Sequence, residues 1–366
     1  MRTPKTSGLR SRLIRAQDLT PAEKSAWADF QRADPHLSSP FLSAHYTQAV
    51  GLARPLTYVC ILECGRRIVG FFPFQFRNLL HRSLGGAERI GEEMTDYFGL
   101  IAEPGFRIDT QELLRLAGIN YLYFSHLDQS QAAYGLIGEH PEPGLTLNFE
   151  NCSDYWAQLK TVDRKLASET ERLERKVQRQ YGPLRFTWAA DSAQDALGHL
   201  IDHKSSQYVR TGGTSIFAAH WRKDLLQRLA GSSDPSCSGV LSTLYAGDTW
   251  LASHFGIRGE GVLQYWFPVY NYALKTYAPG RLLLKEVILS APPQGIRVLD
   301  RGGGDSPVKR KFTNSQHVFY RGVWRRPGLR SLSLQVLSSL AWRLKTPRRR
   351  ADNGAPGAVA LSDVEP

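Results

Sequence analysis

Two stretches alternate apolar and polar positions in β-rich runs broken by glycine turns. "TYVCILECGRRIVGFFPFQFR" (57–77) sets two such runs around "ECGR" and predicts a hairpin. "SGVLSTLYAGDTWLASHFGIRGEGVLQYWF" (238–267) predicts a three-stranded meander with turns at "AGD" and "RGEG". The helical period appears in "APGRLLLKEVILSA", where Leu283, Leu284, Val287 and Ile288 share a face behind Pro279 and Gly280 at the helix start. A second helix is predicted from Thr20, which caps, with Pro21 at the first helical position and Glu23 completing a capping box; the short strand "RLIRA" precedes it. "EEMTDYFGLIAEPG" reads as an acidic turn leading into a strand, "TQELLRL" as a short helix, and "IRVLD" as a strand ending at Asp300.

A hairpin module followed by a second hairpin, helix and strand implies a duplicated α/β (α+β) fold, each half a mixed sheet flanked by helices. The expected boundaries are a flexible N-terminus over 1–11, an N-terminal domain over 12–150, a C-terminal domain over 151–320, a basic amphipathic tail over 321–350 and a disordered end over 351–366.

Charge sharpens two of these segments. The helical stretch at 160–181, within "DRKLASETERLERKVQRQYGPLRF" and its approach, carries seven cations and four acids over residues 160–179 and stops at Gly182-Pro183. It is either a solvated helix with (i, i+4) pairs or a cationic wall beside an anionic ligand. Residues 321–350 hold nine of the 46 Lys and Arg and no acid, so much of the net charge of +12 lies there. Leu334, Leu337, Ala341 and Leu344 recur at helical spacing, which fits either an interfacial helix on an anionic membrane or a helix docked on the fold.

At 42 % hydrophobic residues the chain can build a sizeable core, and no apolar run approaches the roughly 18 residues of a membrane span. The start lacks the apolar segment of a secretory signal, so a cytoplasmic protein is expected, with peripheral contact at the inner membrane through 321–350. Cys60, Cys64, Cys152 and Cys237 form neither a disulfide framework nor a zinc set and read as reduced, mostly core thiols; no metal is expected. No helix-turn-helix or base-stacking pattern accompanies the basic tail, which argues against DNA.

Walker, G-x-S-x-G, H-E-x-x-H and dinucleotide-binding motifs are all missing. The chemistry that remains runs from His254 to Lys309. At "YAPGRLLLKEV" a helix start offers unpaired backbone N–H groups; Gly280 lets a phosphate approach and Arg281 adds a cation, which makes a candidate pyrophosphate cradle from Tyr277 through Pro279, Gly280, Arg281 and Leu282. His254, in the strand "LASHFGI", is the candidate general base, since an ordinary imidazole titrates near neutrality. Tyr265, Tyr270 and Tyr277 crowd the same region, where a phenol can protonate a departing thiolate; packing is the alternative use of each. Asp300 and Lys309 bracket the run Gly302–Gly304, as an acid and a cation on either side of a turn.

The run "YAPGRLLLKEVILSAPPQGIRVLDRGGGDSPVKRKF" (277–312) resembles the hallmark of the CelD-like branch of the GNAT acyltransferase superfamily, whose members accompany cellulose and exopolysaccharide genes. They are related in plan to FemAB-type aminoacyltransferases. "SPFLSAHYTQAV", "VGFFPFQF", "TDYFGLIAEPG" and the 164–186 segment are similar to other blocks of that family, so the likeness spans roughly residues 12–320. Tyr277, Pro279, Gly280, Asp300, Gly304 and Lys309 keep the pattern, whereas Asn271 stands where the family commonly has an acid and Val308 where it has a tyrosine.

The resemblance implies two tandem GNAT-like domains and transfer of an acyl group, usually acetyl, from acyl-CoA to a hydroxyl or amine of a sugar or polysaccharide precursor. In that scheme a backbone N–H of strand 262–267 receives the thioester carbonyl oxygen, His254, Asp300, Lys309 and Tyr265 serve the chemistry, and Asp96, Tyr97 and Tyr270 bind the acceptor. Two alternatives stay open: a FemAB-like transferase using aminoacyl-tRNA, with the basic helix facing the RNA, and a catalytically silent accessory subunit of a polysaccharide synthase.

Overall fold

A computed structural model describes residues 8–150, 154–189, 193–328 and Leu334. These divide into two units: residues 8–37, 41–142 and 318–328 with Leu334 form one, and the described residues of 38–40 and 143–317 form the other.

The first unit runs β1 (Leu9–Arg15), α1 (Pro21–Ala33), α2 (Ala44–Ala53), β2 (Thr57–Cys64), β3 (Arg67–Phe76), α3 (Leu79–Leu84), β4 (Gly86–Glu88), β5 (Ile101–Ala102), α4 (Thr110–Ala117) and β6 (Tyr121–Asp128). The capping box at Thr20 forms as predicted: its hydroxyl accepts from the Glu23 amide at 3.3 Å while the Glu23 carboxylate accepts from the Thr20 amide at 2.7 Å. The hairpin of 57–77 is β2 and β3, whose register from Thr57↔Gln75 to Cys64↔Arg67 leaves Gly65, at φ +64°, in the turn. Because β2 is buried on both faces, it reads as a continuous apolar run, and Trp27 of α1 stacks on Phe71 of β3 at 4.7 Å.

The second unit follows with β7 (His140–Asn148), α5 (Tyr155–Val162), α6 (Arg164–Tyr181), β8 (Leu184–Thr187), α7 (Ala193–Arg210), α8 (His220–Ala230), β9 (Ser238–Ala246), β10 (Thr249–Gly259), β11 (Val262–Tyr270), α9 (Pro279–Ser290), β12 (Val298–Gly303) and α10 (Pro307–Arg310). The last strand, β13 (Ser315–Arg325), pairs its residues Phe319–Arg325 with β6 of the first unit. The first unit's strands run in the order β1-β2-β3-β4-β6-β13, with β5 on β3; the second unit's run β7-β12-β11-β10-β9-β8. The sheets are mixed, since β4–β6 and β11–β12 are parallel and the other pairs within each unit are antiparallel. The meander of 238–267 is β9, β10 and β11, and Leu283 and Val287 of α9 are buried with Leu263 and Leu299 of the sheet.

Three expectations change. The basic helix starts at Arg164 and not at 160, because the Asp163 carboxylate accepts from the Leu166 amide and caps α6 while closing α5. β12 runs past Asp300 to Gly303. Residues 321–325, expected in the tail, belong to β13, where their backbone joins a ladder. The membrane-facing helix expected over 331–350, and the end at 351–366, lie outside the described residues apart from Leu334. That residue is buried, and a Cβ on Gly86 would meet its Cδ2 at 2.6 Å. Among the described residues no helix is long and apolar enough to cross a membrane. Cys60 and Cys237 are buried, as expected of core thiols, whereas Cys64 is exposed.

Candidate active site

The start of α9 is built unlike an ordinary helix start. Asn271 caps the short turn Tyr272–Tyr277 through its Oδ1, and then Ala278 adopts the left-handed conformation (φ +47°, ψ +56°), which a residue with a Cβ resists. Pro279 takes the first helical position, and no side chain caps the helix. Pro279 has no N–H and the Arg281 and Leu282 amides turn back to the Ala278 carbonyl at 3.0 and 3.2 Å, so in the first turn it is the Gly280 amide that stays uncommitted at the positive pole of this twelve-residue helix.

That pole opens on a cavity of 140 Å³. Ala278, Pro279, Gly280 and Arg281 form one wall, Tyr270 at the end of β11 another, and Val308, Lys311 and Phe312 after β12 a third. Of the predicted cradle, Pro279, Gly280 and Arg281 line the cavity together with the predicted acceptor residue Tyr270. Tyr277 does not; its ring meets Tyr181 edge to face at 5.7 Å under the Lys176 ammonium at 4.9 Å. Leu282 points into the core. Lys311 and Phe312 were not singled out from the sequence, although the third cation of "KRKF" carried the signal. Val308, noted there as a departure from the family pattern, is wall.

Near the cavity the sheet parts. β11 and β12 pair only at Val262↔Val298, Leu263↔Leu299 and Gln264↔Asp300, although β11 continues to Tyr270. Opposite β10, the register slips between Phe255↔Phe267 and Ile257↔Gln264, so Tyr265 and Trp266 bulge against Gly256 alone. Beyond Gln264, β11 thus has backbone groups outside the β12 ladder.

The predicted base is not placed for its task. His254 is fully buried, stacked on Tyr265 with ring centroids 4.2 Å apart, and neither ring nitrogen has a hydrogen-bond partner of good geometry. Burial pushes its pKa down to about 3, an effect the Gln264 backbone opposes only in part. It is neutral at pH 7, and neither His254 nor Tyr265 lines the cavity.

Asp300 and Lys309 are also interior. The Asp300 carboxylate accepts from the Gly302 amide at 2.7 Å and from Gln264 Nε2 at 3.1 Å, and Gln264 Nε2 also reaches Ser39 Oγ at 3.3 Å. Lys309, 1 % exposed, donates from Nζ to the Gly303 carbonyl at 2.5 Å, while Arg301 donates to the carbonyls of Val308 and Lys309. The segment 300–309 is a knot of buried polar groups that sets the backbone leading to Val308 and Lys311. Gln264, a lone polar residue in the run "VLQYWF", was overlooked as part of it.

Asp96 and Tyr97 belong to the first unit. Asp96 lies 3.9 Å from His126 Nε2, and Tyr97 packs edge to face on Phe319 at 4.9 Å. No group of three or more metal-ligating side chains occurs among the described residues.

Residues 164–310, from α6 through α10, match the acetyltransferase (GNAT) domain family, and Tyr270, Ala278, Pro279, Gly280, Arg281 and Val308 of the cavity lie within that stretch. The mixed α/β fold is of GNAT type. FemX shares it with a TM-score of 0.57 at 9 % identity over 89 % of this chain and 99 % of that one. A tandem GNAT protein from the clavulanic acid biosynthesis pathway (TM-score 0.46, 14 % identity, 88 % of this chain and 100 % of that one) and L-PGS from Bacillus licheniformis (0.48, 12 %, 88 % and 96 %) are also similar. No curated protein matches the chain.

Proposed function

We propose that the second unit transfers an acyl group, acetyl in the simplest case, from acyl-CoA to a hydroxyl or amine of a sugar or polysaccharide precursor in exopolysaccharide or cell-envelope biosynthesis. The observation that carries the donor assignment is the uncapped start of α9 opening on a cavity with Arg281 and Lys311 in its walls. The Gly280 amide, the helix pole and two cations suit a pyrophosphate. The acceptor class rests on the resemblance of residues 277–312 to the CelD-like branch.

In this reading the acceptor oxygen or nitrogen bonds to the thioester carbon, the carbon–sulfur bond breaks, and one proton moves from acceptor to thiolate. Backbone N–H groups of β11 beyond Gln264, outside the β12 ladder, receive the negative charge that develops on the carbonyl oxygen. Asp300 and Lys309 act as positioning residues, holding the turn that brings Val308 and Lys311 to the wall. His254, neutral and enclosed, takes no proton.

The aminoacyl-tRNA alternative needs a cationic face, and α6 interrupts its own: Glu169 pairs with Arg172, Glu171 with Lys160 and Glu174 with Lys285. Calorimetric titration of acetyl-CoA into wild type and Gly280→Trp tests the donor site. Wild type is expected to bind and the variant to lose roughly two orders of magnitude in affinity, about 2.7 kcal/mol. Equal binding by both, or none by wild type, overturns the assignment.

A further inference from the structure

Arg89 stands out among the arginines of the first unit. Arg12, Arg54, Arg67 and Arg115 each donate to a carboxylate and are part-exposed or exposed. Arg89 is 8 % exposed, and its Nη1 is buried with no hydrogen-bond partner. Burial holds its guanidinium below the ordinary value, and Asp96, Glu93, Tyr123 and Tyr46 act on it only as charges at a distance. The Asp96 and Glu93 charges offset part of the cost of burying this guanidinium, but they leave Nη1 without an acceptor, and native proteins rarely leave such a donor without a partner or an ordered water.

The surroundings are built rather than accidental. The Arg89 amide donates to the Tyr123 carbonyl at 3.3 Å, continuing the parallel pairing of β4 with β6. The Tyr46 hydroxyl is committed to the Met94 carbonyl and to Thr95 Oγ1. On either side of the cluster two residues with side chains are held at positive φ, Glu92 at +50° and His126 at +59°, and such strain gathers at ligand sites. Tyr123 is 49 % exposed, so the group that bears on the buried guanidinium also reaches solvent and offers an aromatic face.

We propose that Arg89 anchors an oxyanion-binding site in the first unit, taking the phosphate or carboxylate of an anionic sugar, with the Tyr123 ring beside it. A guanidinium fork matches both groups with two parallel hydrogen bonds. That the anion is borne on a sugar rests on the acceptor reading above; that an oxyanion binds at Arg89 does not.

The probes are glucose, glucose 6-phosphate and glucuronate, added separately to the full chain while its thermal unfolding is followed. At least one anionic sugar is expected to raise the unfolding temperature and glucose to leave it unchanged; which anion acts separates phosphate from carboxylate. Arg89→Gln and Arg89→Lys are each expected to weaken that binding at least tenfold by calorimetry, and Tyr123→Ala, at an exposed position, about threefold. If the Arg89 variants do not fold, Tyr123→Ala decides. Acetyl-CoA affinity should remain at the wild-type value in all three, which separates failure here from failure of the donor site. The proposal is overturned if neither anionic sugar stabilises wild type more than glucose does, as for a site holding water only, or if the folded variants bind the anionic sugar like wild type.

Discussion

The start of α9 and the corner from Asp300 to Lys309 both bring glycines and cations together, yet they are opposite environments. At the corner the polar groups are turned inward: Asp300 holds Gly302 and Gln264, Lys309 holds Gly303, and Arg301 holds the carbonyls of Val308 and Lys309. At the helix start Ala278 sits in a strained conformation, no side chain caps, and Gly280, whose amide is left unspent while those of Arg281 and Leu282 return to Ala278, lines a cavity. A phosphate needs donors that the protein has not already used, so the richer sequence makes the poorer site. The contrast extends to α1, which also has proline at its first position but whose amides are closed off by Thr20 and Glu23.

Four substitutions probe the closed side against the open one. The largest effect concerns His254, packed in the dry interior beside the bulge. Its folded pKa of about 3 lies below the ordinary imidazole value, so the unfolded chain takes up a proton first as pH falls. Stability from this group is complete above about pH 6.5 and is lost progressively towards pH 3, by up to roughly 4–5 kcal/mol. His254→Phe keeps a ring on Tyr265 and should flatten that acid loss in urea titrations between pH 7 and pH 4; parallel curves for the two proteins would mean water reaches the site.

Next in size is Asp300→Ala, which strands the Gly302 amide and the Gln264 side chain and should lower stability by roughly 3 kcal/mol in denaturant unfolding. The folded variant should bind acetyl-CoA with little change if the corner is scaffold; abolished binding with stability intact would make Asp300 part of the ligand site. Smallest are Arg281→Ala and Lys311→Ala on the open side. Each is expected to weaken acetyl-CoA several-fold, about 1 kcal/mol, with a shallower salt dependence, and salt-independent losses would point to packing instead.

Much of this architecture was legible because local rules decide it. The capping box at Thr20, the turn at Gly65, the meander of 238–267 and the proline-led start of α9 each follow from a few neighbouring residues. Burial of polar side chains was not legible in the same way. Alternation in "LASHFGI" left His254 free to be half-buried, and only the pairing of β10 between two strands closes it in. Lys309 looked like a cation turned to the cleft, but the positive φ of Gly302 and Gly304 helps the chain return so that its ammonium meets Gly303. Lys311, two residues on, reaches the cavity instead, a distinction that depends on a four-residue helix turn that spacing alone did not reveal.

The most direct test of where a phosphate sits is an amide titration of the isotope-labelled protein with coenzyme A, following the signals of Gly280 and Arg281 against those of Gly302, Gly303 and Gly304. Saturable shifts at Gly280 and Arg281, with the three glycines of the corner nearly still, are the predicted result. Saturable shifts at the corner with Gly280 unmoved would contradict the account and return the phosphate to the glycine run.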